Sequence, residues 1–404
     1  MHDPSRVGVV GPLKPFAAGF ADWLARHGYT PISARFQLCV MAHLSRWLTG
    51  EGLDTRALST KDLDQFLAAR RRAGYTQYLS VKALQPILAS LREQGLSVMA
   101  PPTIPGPVDA AVADYREYLI RERGLARATV REYVDAVRPF IVSRLTADHR
   151  ALHWESLDAA IVMAFVVART SKQSRGAAKL TVTALRSLLG FLHVTGLTAR
   201  SLAGVVPAVA GWRLAGLPKG LTSAAVHALV ASCDRRTRLG RRDYAVLIML
   251  VRLGTRAGEL AALTLEDIHW RTGTIMIRGK GQQVESLPLP ADVGKAIAVY
   301  IRRARPATAM DRTVFVRYRA PHHRLSTSGV TQIVAAAARR AGLGVIHAHR
   351  LRHTAASQLL RAGAPLPEIG QLLRHRRALT TAIYAKVDRA ALRTIARPWP
   401  GGVA

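Results

Sequence analysis

Four short blocks in the C-terminal part of the sequence carry side chains suited to work on a phosphate. In Leu253-Gly254-Thr255-Arg256-Ala257-Gly258-Glu259-Leu260, a long apolar helix ends at Gly254 and Arg256 follows at the start of the next helical stretch. An arginine there presents a planar fork to a phosphate beside helix N-terminal amides. Glu259, at helical spacing, can orient it, although alone the two read more simply as a surface pair. Gly279-Lys280-Gly281 falls in a turn between two expected strands. Its glycines leave the ammonium unhindered and let the tip approach a ligand backbone. In isolation it reads as an ordinary charged hairpin tip. In His349-Arg350-Leu351-Arg352-His353, a helix places His349 and Arg352 on one face and turns Leu351 toward the core. The last block runs Leu372-Leu373-Arg374-His375, then Thr380-Thr381-Ala382-Ile383-Tyr384. A lone tyrosine near a C-terminus usually packs. Amid two arginines and two histidines placed for phosphate contact, Tyr384 becomes a functional candidate.

A zinc site is the competing reading of His347, His349, His353 and His375. No nearby Cys, Asp or Glu set completes the ligation, and Arg350, Arg352, Arg374 and Arg376 would repel a cation. No metal is expected.

These blocks need elements to hold them. Thr222 and Ser223 cap a helix through about Cys233, and Arg241–Leu253 is apolar on nearly all faces, as a central core helix would be. Ile268–Trp270, Thr274–Arg278 and Val284–Leu287 read as three short strands joined by tight turns. The rest is helical, with cap signals at Ser326-Thr327-Ser328 and Pro367. Upstream, the proline-rich stretch 101–107 and the softer Pro/Gly stretch 204–219 read as linkers. They delimit a helical module over 1–100, a second helical domain over 108–203 and a C-terminal domain over 220–404. The two helical segments look alike. Each has an aromatic-rich first helix ending in His27-Gly28 or Arg123-Gly124. Ser33 and Thr129 then stand where a cap would start the next helix. Leu84–Leu96 matches Leu185–Leu197 in apolar spacing, which points to a quasi-duplicated unit. The expected fold class is mainly α, with a small antiparallel β-sheet in the C-terminal domain.

The chain of 404 residues is 49% hydrophobic, enough for two or three packed cores. Its charge is less ordinary: 58 Lys and Arg against 26 Asp and Glu give +32. Arginine-rich coding explains Arg over Lys but not the shortage of acids. Such an excess favours a polyanionic partner: DNA, RNA or an anionic membrane surface. The apolar stretches are too short to span a bilayer, and MHDPSRVGVV has no signal-peptide pattern. Cys39 and Cys233 lie far apart in apolar surroundings and read as buried thiols of a reducing compartment. A cytoplasmic nucleic-acid-binding protein is expected. Basic runs such as Arg70-Arg71-Arg72 could face phosphates or merely solvent.

The series Arg256, Lys280, His349-x-x-Arg352, His375 and Tyr384 resembles the active-site signature of the tyrosine recombinases, or phage integrases. "GTRAGEL", "RGKG", "HRLRHTAASQLL" and "LLRHRRALTTAIYAKV" match that family's motifs in order and spacing. The likeness covers roughly Gly216–Arg397. It extends more loosely to a helical core-binding domain at 108–203, while 1–100 matches only as an extra SAM-like helical module. The resemblance implies site-specific DNA recombination (integration or excision), by cleavage and strand exchange through a 3′-phosphotyrosyl intermediate, and the extra N-terminal module hints at a mobile-element enzyme. Tyr384 would be the nucleophile. Arg256 and Arg352 would stabilise the non-bridging oxygens. His349 would assist proton transfer from the tyrosine, His375 would hydrogen-bond to the phosphate, and Lys280 would protonate the leaving 5′-oxygen. Neither ATP nor a metal is needed, so no cofactor is implied. The implied partner is double-stranded DNA, bound by a homotetramer or together with a partner recombinase. Two features depart from the family pattern. Arg374 stands where it usually has glycine, and Gln282, Gln283, Val284 and Glu285 follow Lys280 where it tends to have basic residues. A type IB topoisomerase-like enzyme and a non-catalytic DNA-binding protein of the same fold are the rivals. Synapsis of two sites separates the first from a recombinase, and retention of every expected side chain argues against the second.

Overall fold

The computed structural model describes residues 7–55, 58–96, 105–210, 220–279, 283–374, 381 and 383–384. Its contacts divide the chain into two units, one of Met1–Met99 with Gly216–Ala404 and one of Ala100–Ala215. The chain is mainly α with one small antiparallel sheet, as expected from the sequence.

Helices α1 (Ala17–Arg26), α2 (Pro31–Gly50), α3 (Thr60–Arg72) and α4 (Val81–Glu93) enclose a core that includes Phe20, Leu24, Met41, Phe66 and Leu84. Ser33, expected as the cap of α2, lies inside its first turn. Pro31 presets the first helical φ, and the Thr30 hydroxyl accepts the Ser33 amide at 3.3 Å. Arg70 does not join Arg71 and Arg72 on the surface. It is buried over the Tyr75 ring, 4.2 Å from its centroid, with Nη1 2.8 Å from His43 Nδ1.

The second unit holds α5 (Pro107–Arg121), α6 (Arg127–Val142), α7 (Ala159–Thr170) and α8 (Arg175–Val194) around Tyr115, Phe140 and Leu185. Thr129 is likewise not a cap. Helix α6 starts after Ala126, which has no side chain that can accept an amide. The ends of α4 and α8 do correspond. Gly95 and Gly196 both take left-handed φ, and the leucine after each returns its amide to a leucine carbonyl five residues back. The helix lengths differ: 13 residues in α4 and 20 in α8.

In the C-terminal part, Thr222 caps α9 (Ser223–Ala231) and Thr237 caps α10 (Arg238–Leu253). Helix α10 is buried along most of its length and packs on α12 (Ala291–Arg303) and α14 (Ala348–Arg361). The sheet runs β1 (Ile268–His269), β2 (Thr274–Arg278), β3 (Val284–Pro288) in that order, all antiparallel. Ile275 and Ile277 alternate inward, which fixes the register against Leu287 and Glu285. Strand β1 stops one residue short of the expected Trp270, whose ring is exposed. Ser326 caps α13 (Thr327–Arg340), and α15 (Leu366–Leu372) carries Pro367 in its first turn. Cys233 is buried, whereas Cys39 is only partly so; both are free thiols. Among the described residues, no helix is long and apolar enough to cross a membrane.

Candidate active site

The site is built where α10 ends. Gly254 takes φ +56°, terminating the helix and turning the chain so that Arg256 becomes the N-cap of α11 (Ala257–Ala262). A Cβ at Gly254 would stand 2.6 Å from Leu373 Cδ2, so both the backbone angle and the packing call for glycine. Glu259 closes the cap. It accepts the Arg256 amide at 2.8 Å and pairs with the Arg256 guanidinium. This orients Arg256, as the spacing predicted, and leaves its side chain 39% exposed.

Helix α14 carries the second guanidinium. Arg352 is 2% exposed and donates through Nη1 to the Gly254 carbonyl at 2.7 Å and through Nη2 to the Leu373 carbonyl. It thus ties the end of α10 to the end of α15. Burial, with Arg256 and Arg374 nearby, pushes its pKa down to about 10, still well above neutrality. Arg256, His349 and Arg352 line one cavity of about 730 Å³, together with His347, Thr327 and, from the edge of the sheet, Arg278 and Gly279. Burial, reinforced by Arg352 and Arg256, pushes the His349 imidazole below its ordinary value, so it is neutral at pH 7.

Tyr384 meets His353, which stands one helical turn after His349 on α14. Its hydroxyl is 2.9 Å from Nδ1 of His353, and its ring packs among Ala356, Ile369 and Leu373. The residue is 2% exposed, and burial raises its pKa, opposed in part by Arg352. The His353 imidazole is also lowered, by burial first and then by His349 and Arg352. The His349 and His353 rings meet edge to face with centroids 4.6 Å apart. A phenol, two neutral imidazoles and two guanidiniums therefore converge along one helix. That set can bind a phosphate oxygen and take a proton from the phenol.

The sequence profile of the phage integrase family matches residues 219–390, and that of the phage integrase N-terminal SAM-like domain matches 112–196. Over 396 residues the chain is 39% identical to the integrase/recombinase-type protein y4rA of Sinorhizobium fredii, covering 97% of this chain and 95% of that one. The chain belongs to the phage integrase family. The integrase is also 31% identical over 291 residues to the tyrosine recombinase XerD of Listeria monocytogenes, spanning 70% of this chain and 96% of that protein. It shares a fold with a lambda integrase tetramer bound to a Holliday junction: TM-score 0.53, 16% identity, 76% of this chain and 86% of that one. The integrase is thus a tyrosine-type site-specific recombinase.

Of the six residues singled out from the sequence, the integrase brings Arg256, His349 and Arg352 to one cavity. Tyr384 sits beside them on His353. Lys280 and His375 lie outside the described residues. His353 was missed as a contributor. The available signal was its position four residues after His349, on the same helical face.

Proposed function

We propose that the integrase cuts and rejoins double-stranded DNA at specific sites through a covalent bond between Tyr384 and a 3′-phosphate. The observation that carries this reading is the Tyr384 hydroxyl on the His353 imidazole, one turn from the cavity lined by Arg256, His349 and Arg352. The phenol must leave this buried seat to reach a phosphate in that cavity. Its oxygen then forms the new bond to phosphorus as the 5′-oxygen of the cut strand departs. Arg256 and Arg352 hold the non-bridging oxygens. The proton of the phenol passes to a neutral imidazole, His353 or His349, and Lys280 delivers one to the departing oxygen. His375 hydrogen-bonds to the phosphate. The phosphodiester bond energy is kept in the adduct, so the 5′-hydroxyl of a partner duplex can reverse the step without ATP or metal.

Residues 220–404 act as the catalytic domain in this reading, 108–203 as the core-binding domain, and 1–100 as an additional helical module. Assembly follows the lambda integrase, seen as a tetramer on a Holliday junction, so four copies exchange strands between two sites, in the cytoplasm where the DNA lies. The direct test is a nicked suicide duplex drawn from the DNA flanking the gene, incubated with EDTA and no ATP. An adduct that survives denaturing electrophoresis is expected, and its absence across all flanking sequences contradicts the proposal.

Two further outcomes follow from the charges. Both imidazoles lie below their ordinary value of about 6.5 and work as bases only when neutral. The single-turnover rate of adduct formation should therefore be insensitive to these imidazoles between pH 7 and 8 and fall only below about pH 6.5. An acid limb centred above pH 7 contradicts this assignment. A chain of net charge +32 that neutralises many phosphates releases many counterions. Its DNA affinity should drop by about 10³-fold or more between roughly 50 and 200 mM salt. A flat response would mean few phosphate contacts.

A further inference from the structure

Arg374 occupies the second position after α15, where the family usually has glycine, and its backbone keeps the conformation that favours glycine, φ +55°. That turn sends the side chain inward: it is only 3% exposed. Nη2 donates to Glu259 Oε2 at 2.8 Å and Nη1 to the Leu372 carbonyl at 2.8 Å. Glu259, itself buried, therefore serves two guanidiniums. Its Oε1 faces Arg256, and its Oε2 takes both Arg374 and the Arg256 amide. The two arginines differ in their surroundings. Arg256 is partly open to the cavity, whereas Arg374 does not line it.

We propose that Arg374 is a positioning residue that keeps Glu259 neutralised while Arg256 shifts its guanidinium from that carboxylate to the DNA phosphate. The inference rests on the phosphate-binding role given to Arg256 above. A buried carboxylate strongly resists losing a partner when no other cation remains. With glycine at 374, Arg256 would be the one side-chain cation bonded to Glu259 among the described residues, and leaving it would strand the charge. With Arg374 in place, Oε2 keeps a charged donor throughout and Arg256 is free to move. Burial alone would raise the Glu259 pKa. Arg374 and then Arg256 outweigh it and hold the carboxyl below its usual range, so it stays ionised at neutral pH and continues to need a counter-ion.

A simple staple between α15 and α11 would give the same contacts, so the test must separate the two roles. Arg374→Gly suits the backbone angle, and it should bind flanking-site duplex yet form adduct on a suicide substrate up to about 100-fold more slowly. Adding Glu259→Gln removes the charge that pins Arg256, so Arg374→Gly/Glu259→Gln should cleave faster than Arg374→Gly alone. Arg374→Lys meets the carboxylate with a single cationic donor and should cleave much closer to the native rate than Arg374→Gly does. The inference is overturned if Arg374→Gly cleaves like the native chain. It is equally overturned if the double variant is slower still, or if Arg374→Lys is as slow as Arg374→Gly. No adduct from the native chain would instead defeat the assignment of the site itself.

Discussion

Tyr384→Phe is expected to bind duplex DNA as the native integrase does and to form no covalent adduct on a suicide substrate. The change removes one oxygen from a ring that is 2% exposed and packed on Ala356, Ile369 and Leu373, so the packing survives. It leaves the His353 Nδ1 without its phenol partner, which costs about 1 kcal/mol, too little to unfold a domain. Chemistry, by contrast, loses its nucleophile entirely. Gel-shift binding and denaturing electrophoresis on the same samples separate the two effects. Residual adduct in the variant would assign the attack to another side chain, and lost binding would show that the phenol holds the fold.

Arg352→Lys is expected to damage both rate and stability, although the charge is kept. Arg352 spans two carbonyls, of Gly254 and Leu373, at the ends of α10 and α15. An ammonium lacks the planar fork that reaches both at once. At least one buried carbonyl loses its donor, which costs about 1–3 kcal/mol, and the helix ends it joined loosen. The phosphate simultaneously loses a preorganised donor, worth about 10²–10³-fold in rate. Single-turnover cleavage and denaturant titration should thus both shift. A variant with native stability and a rate within a few-fold of native would show that Arg352 neither ties the helices nor touches the reacting phosphate.

The sequence made the order of elements in the C-terminal part legible because its punctuation is strong. Thr222 and Ser326 each begin a helix with a hydroxyl that accepts a first-turn amide, and Gly254 ends one with a left-handed backbone angle. Arg256 was legible for the same reason: a residue two after a left-handed glycine starts the next helix. Local signals failed where a stronger one stood close by. Ser33 looked like a cap, but Pro31 had already fixed the helix start. Thr129 looked like one too, yet α6 begins with no side-chain cap at all. Arg70 read as one of three surface cations, and only the fold brings Tyr75 and His43 around it. His353 and Arg374 were harder to read for a related reason. Spacing puts His353 on the helical face of His349, but both roles depend on which side chain arrives from elsewhere, Tyr384 in one case and Glu259 in the other, and the chain order does not encode that meeting.

What the first helices pack on is a further example. The sequence likens residues 1–100 to 108–203 as helical units and says nothing of their neighbours; the contacts join Met1–Met99 with Gly216–Ala404. Within that unit the left-handed turn at Gly28 sits against Thr308 and His322, so closely that an added Cβ would stand 2.4 Å from the Thr308 hydroxyl oxygen. Similar apolar spacing produces similar helices; it does not decide what they pack against.

The decisive bond joins one phenolic oxygen to a DNA 3′-phosphate. Trapping the adduct on a nicked duplex, digesting protein and DNA, and sequencing the linked peptide by mass spectrometry measures it directly. The expected product is a peptide containing Tyr384, with a nucleotide attached to that residue through its 3′-phosphate. Attachment to any other side chain, or through a 5′-phosphate, would contradict it.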